Sequence, residues 1–84
     1  MPPVDRFFVY IVRCADGTFY TGYARDPKER EKVHNSGQGA KYTAGRRPVS
    51  LVYTEEFGTV GEALSREHRV KRLSRREKER LLGK

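Results

Sequence analysis

Six consecutive apolar, β-prone residues, Phe7-Phe8-Val9-Tyr10-Ile11-Val12, stand near the start of a chain of 84 residues that is otherwise strongly polar. A strand apolar on one parity can lie on a surface. One apolar on both parities needs cover on both sides. This run therefore predicts an interior strand with layers above and below it. Asp16-Gly17 is a turn signal, and Thr18 to Tyr23 reads as the returning strand of a hairpin.

The helix signals are equally local. Asp26-Pro27-Lys28-Glu29 combines an N-cap, a proline at the first helical position and a carboxylate at the third. The helix it opens is expected to end near Asn35, where Ser36-Gly37 stops it. Gln38 to Pro48 has two glycines, Lys41, Arg46 and Arg47, and no periodicity, and reads as a basic loop. Leu51-Val52-Tyr53-Thr54 begins a third strand that runs to about Phe57. Thr59 to Glu62 and Ser74 to Glu77 have the form of capping boxes and open helices over 59–73 and 74–83. The predicted order is β-β-α-β-α-α: an α/β (α+β) fold with a small, mostly antiparallel three-stranded sheet flanked by helices.

A chain this short is expected to form one domain over residues 1–84, with residues 1–5 as a flexible leader. Cys14 is the only cysteine, so no intrachain disulfide is available, which suits a reducing compartment. No apolar run approaches the ~18 residues of a membrane span. A cytoplasmic protein without a membrane partner is expected. The net charge is +7, and nearly all of it is C-terminal. Residues 1–64 hold nine Lys/Arg against eight Asp/Glu, whereas residues 65–84 hold nine against three. A concentrated cationic face suits a polyanion, nucleic acid above all, or else is simply a solvated helix face.

Within the helix opened by Thr59, the apolar positions are Val60, Ala63, Leu64, Val70 and Leu73. Glu67 falls among them, in the middle of the expected buried stripe. A carboxylate facing a core costs several kcal/mol unless a cation, a metal or a donor compensates it. It is either a metal-binding or catalytic group, or a glutamate at the stripe's edge paired with a nearby arginine. Arg30 and His34 share one face of the preceding helix, with Val33 beside them; taken alone such a pair is usually surface decoration, but the side resting on the sheet must include Val33 and so bring both close to it. Tyr10 and Tyr20 occupy neighbouring strands. Gly22, on the face of Tyr20, leaves room for a helix or a phosphate to approach. Tyr53 is expected to pack, and Tyr23 and Tyr42 either stack on bases or pack. Two phenols, a fixed cation, an imidazole and one carboxylate are suited to opening a phosphodiester with one divalent metal.

With these residues assembled, the chain resembles the GIY-YIG nuclease superfamily. The first signature stands here as Tyr10-Ile11-Val12, with Phe8-Val9 in place of the leading Gly-Ile, and the second as Tyr20-Thr21-Gly22. Arg30, His34 and Glu67 match the family's arginine, its aromatic or imidazole position and its metal-binding glutamate. Gly39-Ala40-Lys41-Tyr42-Thr43 and Arg69-Val70-Lys71-Arg72-Leu73 are similar to the small stand-alone bacterial branch, related to the catalytic subunit of structure-specific endonucleases. Tyr23 stands where some members carry a lysine that helps activate the nucleophile.

The resemblance implies metal-dependent cleavage of DNA, branched or single-stranded forms included, in repair or recombination. Tyr10, Tyr20, Arg30, His34 and Glu67 would be the catalytic set, with one Mg²⁺ or Mn²⁺ on Glu67. Tyr10 is the favoured general base: Arg30 and the metal are expected to lower its pKa, and His34 to accept a relayed proton. Lys41, Arg46, Arg47, Lys71, Arg72, Arg75 and Arg76 are the expected phosphate contacts. A nucleic-acid-binding module with weak catalysis is the alternative. A third reading is a basic scaffold that docks onto an acidic protein partner through residues 65–84.

Overall fold

β1 (Phe7–Arg13) is the middle strand of an antiparallel sheet ordered β2-β1-β3, with β2 at Phe19–Ala24 and β3 at Ser50–Phe57. The structure is a computed structural model that describes residues 6–83. The leader expected over residues 1–5 lies outside those residues. The doubly apolar run is covered on both faces as its parity requires, with Val9, Ile11 and Val12 wholly buried. The hairpin closes through Cys14 N to Thr18 O at 2.8 Å and Gly17 N to Cys14 O at 2.9 Å. Gly17 takes φ +85°, the left-handed conformation a side chain would oppose.

The helices form a layer on each side of this sheet. On one side are α1 (Pro27–Asn35) and a single turn, α2 (Lys41–Ala44), over Tyr10, Val12, Cys14, Ala24 and Val49. On the other are α3 (Val60–Lys71) and α4 (Arg75–Leu81), over Val9 and Ile11, with Ala63 and Val70 buried against them. The order is the expected β-β-α-β-α-α, with α2 inserted where the basic loop was predicted. One turn carries no apolar period, so it is invisible to a periodicity argument.

The capping signals act as written, with one difference. Asp26 Oδ1 accepts from Glu29 N, and Ser74 and Glu77 form a complete capping box. At Thr59 the box is only half formed. Thr59 Oγ1 accepts from Glu62 N, but the Glu62 carboxylate takes the Thr59 hydroxyl hydrogen, not its backbone N–H.

α1 docks without an apolar face of its own. Val33, expected to lead the contact, is half-buried, and beyond Pro27 at its start the residue driven fully inside is His34. Polar groups complete the docking. Asn35 clamps Val49 by Nδ2 to O at 3.0 Å and N to Oδ1 at 2.7 Å, and Glu31 accepts from Leu51 N at 2.6 Å. These bonds satisfy backbone groups at the start of β3 and set the position of α1 over the sheet.

Candidate active site

Tyr10 sits directly across from Gly22 in the β1–β2 register. Its ring occupies the space above that glycine, since a Cβ there would stand 2.6 Å from Tyr10 Oη. Gly22 is therefore open for the neighbouring phenol, not for a helix or phosphate as its position alone suggested. The phenol reaches His34, with Tyr10 Oη 2.8 Å from His34 Nε2. At the other edge of the imidazole, Nδ1 lies 2.8 Å from Thr43 Oγ1 on α2. Gly39 leaves the ring its space, because a Cβ there would overlap Nδ1.

Tyr20 meets His34 edge-on, with centroids 5.3 Å apart and an interplanar angle of 64°. Tyr42 stacks on Tyr20 at 6.0 Å, and the Arg46 guanidinium lies 4.0 Å above the Tyr42 ring. Tyr42 thus packs in a ladder that backs Tyr20.

Glu67 comes from the opposite layer. The buried line of α3 runs through Ala63 and Val70, while Val60 and Leu64 stay 43% and 41% exposed. Glu67 therefore borders the stripe instead of occupying its middle, and its side chain is 16% exposed. Its charged neighbour is Lys71, one turn on, with Nζ 3.5 Å from Oε2. The edge position fits the structural alternative, but the partner is this lysine and not an arginine; Arg66 on the same helix pairs with Glu55 at 2.9 Å.

These groups share one open cleft of about 670 Å³, lined by Tyr10, Tyr20, Gly22, Arg30, His34 and Glu67, with Phe7, Arg25 and Val60 among its walls. β2 is an edge strand, so side chains from both layers reach around it. Arg30 is exposed and lines the same cleft as Glu67, offering a fixed fork of donors there.

The electrostatics depart from expectation at Tyr10. Burial pushes its phenol well above the ordinary range, and the Tyr20 and Glu67 charges push the same way. Arg30 pulls downward and does not prevail. Arg30 by itself therefore does not give the low phenol pKa expected from it and the metal together. His34 moves the opposite way: burial, then the Arg30 charge, lower its pKa and keep the ring neutral. A neutral imidazole beside a protonated phenol is a donor–acceptor pair.

Among the described residues no cluster of three or more His, Cys, Asp or Glu could hold a metal. Among the described residues, Glu67 alone lines the cleft with a carboxylate. Mg²⁺ keeps several waters and takes as few as one or two carboxylates plus substrate phosphate, so one carboxylate beside a phosphate-sized cleft fits an ion completed by its substrate.

None of the seven residues expected to contact phosphate lines the cleft. Lys41, Arg72 and Arg76 are exposed and make no ion pair among the described residues. Lys71 faces Glu67. Three others brace the fold. Arg46 bonds Asp16 at 3.0 Å and Tyr42 O at 2.8 Å, Arg47 bonds Ala44 O at 2.9 Å, and Arg75 bonds Gly17 O at 2.8 Å while lying over the Phe19 ring. The cleft's second cation is Arg25, held over the Phe7 ring at 5.1 Å. Sequence reasoning missed Arg25 because nothing about its spacing tied it to the tyrosines. It also missed Thr43, although the stretch Gly39 to Thr43 had stood out. No helix among the described residues is long and apolar enough to cross a membrane.

Comparison with known proteins bears on the same residues. Positions 6–80 match the GIY-YIG catalytic domain. The UPF0213 protein of Staphylococcus saprophyticus is 54% identical over 80 residues, which cover 95% of this chain and 98% of that one. A UPF0213 protein of Staphylococcus aureus is 56% identical over 79 residues, covering 94% and 96%. Among solved structures, the solution structure of a UPF0213 protein from Bacillus halodurans superposes with a TM-score of 0.60 at 51% identity, covering 93% of this chain and 83% of that one. The solution structure of a protein from E. faecalis superposes at 0.65 with 45% identity, covering 99% and 88%.

Proposed function

The chain belongs to the GIY-YIG family, and from that premise we propose that it is a divalent-metal-dependent endonuclease hydrolysing DNA phosphodiester bonds. Its selectivity is for DNA structure, not sequence, and its setting is repair or recombination in the cytoplasm. The observation that carries this reading is Glu67 of α3 lining the same cleft as Tyr10, Tyr20, Arg30 and His34 from the opposite side of the sheet.

The chain's own groups supply binding and proton transfer. Arg30 binds the non-bridging oxygens of the scissile phosphate with its planar fork and stabilises charge that grows there in the transition state. Tyr20, held by His34 and Tyr42, orients the phosphate or the attacking water. The Tyr10 oxygen takes a hydrogen from that water as its own hydrogen passes to His34 Nε2, so no free phenolate has to form in the buried site. The water oxygen bonds to phosphorus, the bond to the leaving oxygen breaks in line, and that oxygen is protonated from solvent. Glu67 would hold the Mg²⁺ or Mn²⁺ ion, which when bound neutralises charge on the phosphate and the leaving oxygen.

Of the expected cations, Lys41, Arg72 and Arg76 are exposed and not engaged by the described residues, and they serve backbone contact, joined at the cleft by Arg25. Such contacts position a duplex or a junction without reading its bases.

The test is cleavage by the purified protein of a panel of branched, single-stranded and duplex DNAs with Mg²⁺ or Mn²⁺, beside Glu67→Ala and a chelated control. Cleavage is expected from the wild type with metal only. Undiminished cleavage by Glu67→Ala would overturn the reading.

A further inference from the structure

His34 can act as proposed only if one of its two nitrogens is bare, and the imidazole itself does not choose which. The choice is made by whatever the far nitrogen faces. Here that is Thr43, wholly buried on the single turn α2. Its hydroxyl lies 2.9 Å from Ala40 O, three residues back, and donates to it. A hydroxyl carries one hydrogen. With that hydrogen on Ala40 O, only its lone pairs are left to face His34 Nδ1 at 2.8 Å, and the nitrogen must then bear a hydrogen.

The opposite arrangement is poorer at both ends of the ring. A bare Nδ1 would have to take the Thr43 hydrogen from Ala40 O, which would keep the Thr43 and Ala44 amides, and its other donor would be the Ala40 amide at 3.4 Å, longer than the usual range. At the near end Nε2–H would face the phenol oxygen, and the Tyr10 hydrogen would have no protein acceptor and only the cleft to turn to.

We propose that Thr43 is a positioning residue that holds His34 with its hydrogen on Nδ1, leaving Nε2 bare to take the hydrogen of Tyr10. The order of donation is then Tyr10 O–H to Nε2, Nδ1–H to Thr43 Oγ1, and Thr43 O–H to Ala40 O. One proton entering at Tyr10 makes imidazolium, with no bond beyond Nδ1–H having to break. This rests on the reading of Tyr10 and His34 as proton carriers, and it assigns the residue that fixes their direction.

The tautomer can be read without DNA. Long-range proton–nitrogen NMR on the labelled full chain, above the histidine titration range, separates Nδ1–H from Nε2–H. The chain has two histidines, and the exposed His68 is assigned through His68→Gln. The wild type is expected to show Nδ1–H at His34, and an Nε2–H signature would overturn the proposal. Thr43→Val should move the ring toward Nε2–H and lower kcat roughly 10- to 100-fold, as loss of a histidine's orienting partner does elsewhere. Thr43→Ser, which keeps the hydroxyl, should restore both. A Thr43→Val protein with unchanged tautomer and rate would also overturn it. If no DNA is cleaved, the proposed function fails while the tautomer measurement still decides the role of Thr43. If Thr43→Val does not fold, the wild-type and Thr43→Ser spectra decide.

Discussion

Tyr10 Oη and His34 Nε2 lie 2.8 Å apart, 24 residues apart in sequence and both nearly sealed from solvent. Burial moves their proton affinities in opposite directions, raising the phenol and lowering the imidazole. The pair therefore rests with its hydrogen on the phenol, ready to move toward the ring once the phenol oxygen gains another. This contact joins the sheet to α1 at the floor of the cleft.

Removing the phenolic oxygen breaks that route. Tyr10→Phe is expected to lower kcat on the order of 10²-fold or more, the usual worth of a positioned proton carrier. Tyr20→Phe should reduce kcat less, since its ring still packs on His34 and Tyr42. Single-turnover cleavage of a radiolabelled or fluorescent DNA measures both. Full activity in both variants would exclude the scheme.

Gly22 is tied to Tyr10 sterically. Gly22→Ala places a Cβ 2.6 Å from Tyr10 Oη, so the ring must shift or the strands must part. A stability loss of about 1–3 kcal/mol is expected, read as a lower urea midpoint. Combining it with Tyr10→Leu, which removes the ring, should recover part of that loss. Two losses that simply add would show that the glycine serves something other than the phenol.

Burial of neutral His34 makes stability depend on pH. Its folded pKa lies below the 6.5 of a free histidine, so between those values the unfolded chain binds more protons than the folded one. Stability from this group is therefore complete above 6.5 and falls as pH drops through the lowered folded value. Urea midpoints measured across that window should decline in the wild type. The decline should flatten in His34→Gln, and an identical slope would remove His34 as its source.

DNA affinity should fall steeply with salt. Raising salt from about 50 to 200 mM weakens such contacts by orders of magnitude when several phosphates are neutralised. Replacing Arg25, Arg72 or Arg76 by glutamine should each reduce the log–log salt slope by about 1. Chelation should abolish cleavage while leaving most of this binding. Fluorescence anisotropy against a salt series separates the two effects.

The elements legible in the sequence share a feature: their causes lie within a few residues. Asp26 caps α1 through an amide three positions on, Gly17 turns the hairpin in place, and the double parity of residues 7–12 states that both faces are covered. Glu67 stood out because a carboxylate interrupted an apolar period. Arg25 and Thr43 broke no local rule and gave no such signal. α2, one turn long, had no period to detect.

What the chain determined by itself was the order of strands and helices, the central place of β1 and the residue types available for chemistry. Only the tertiary structure decided that Glu67 and Tyr10, from opposite layers, meet around the edge of β2, and that Gly22 yields its space to a phenol. It alone also decided that burial outweighs Arg30 in holding the Tyr10 proton. Desolvation and close approach depend on which distant segments come to lie together, and no window of neighbouring residues contains that information.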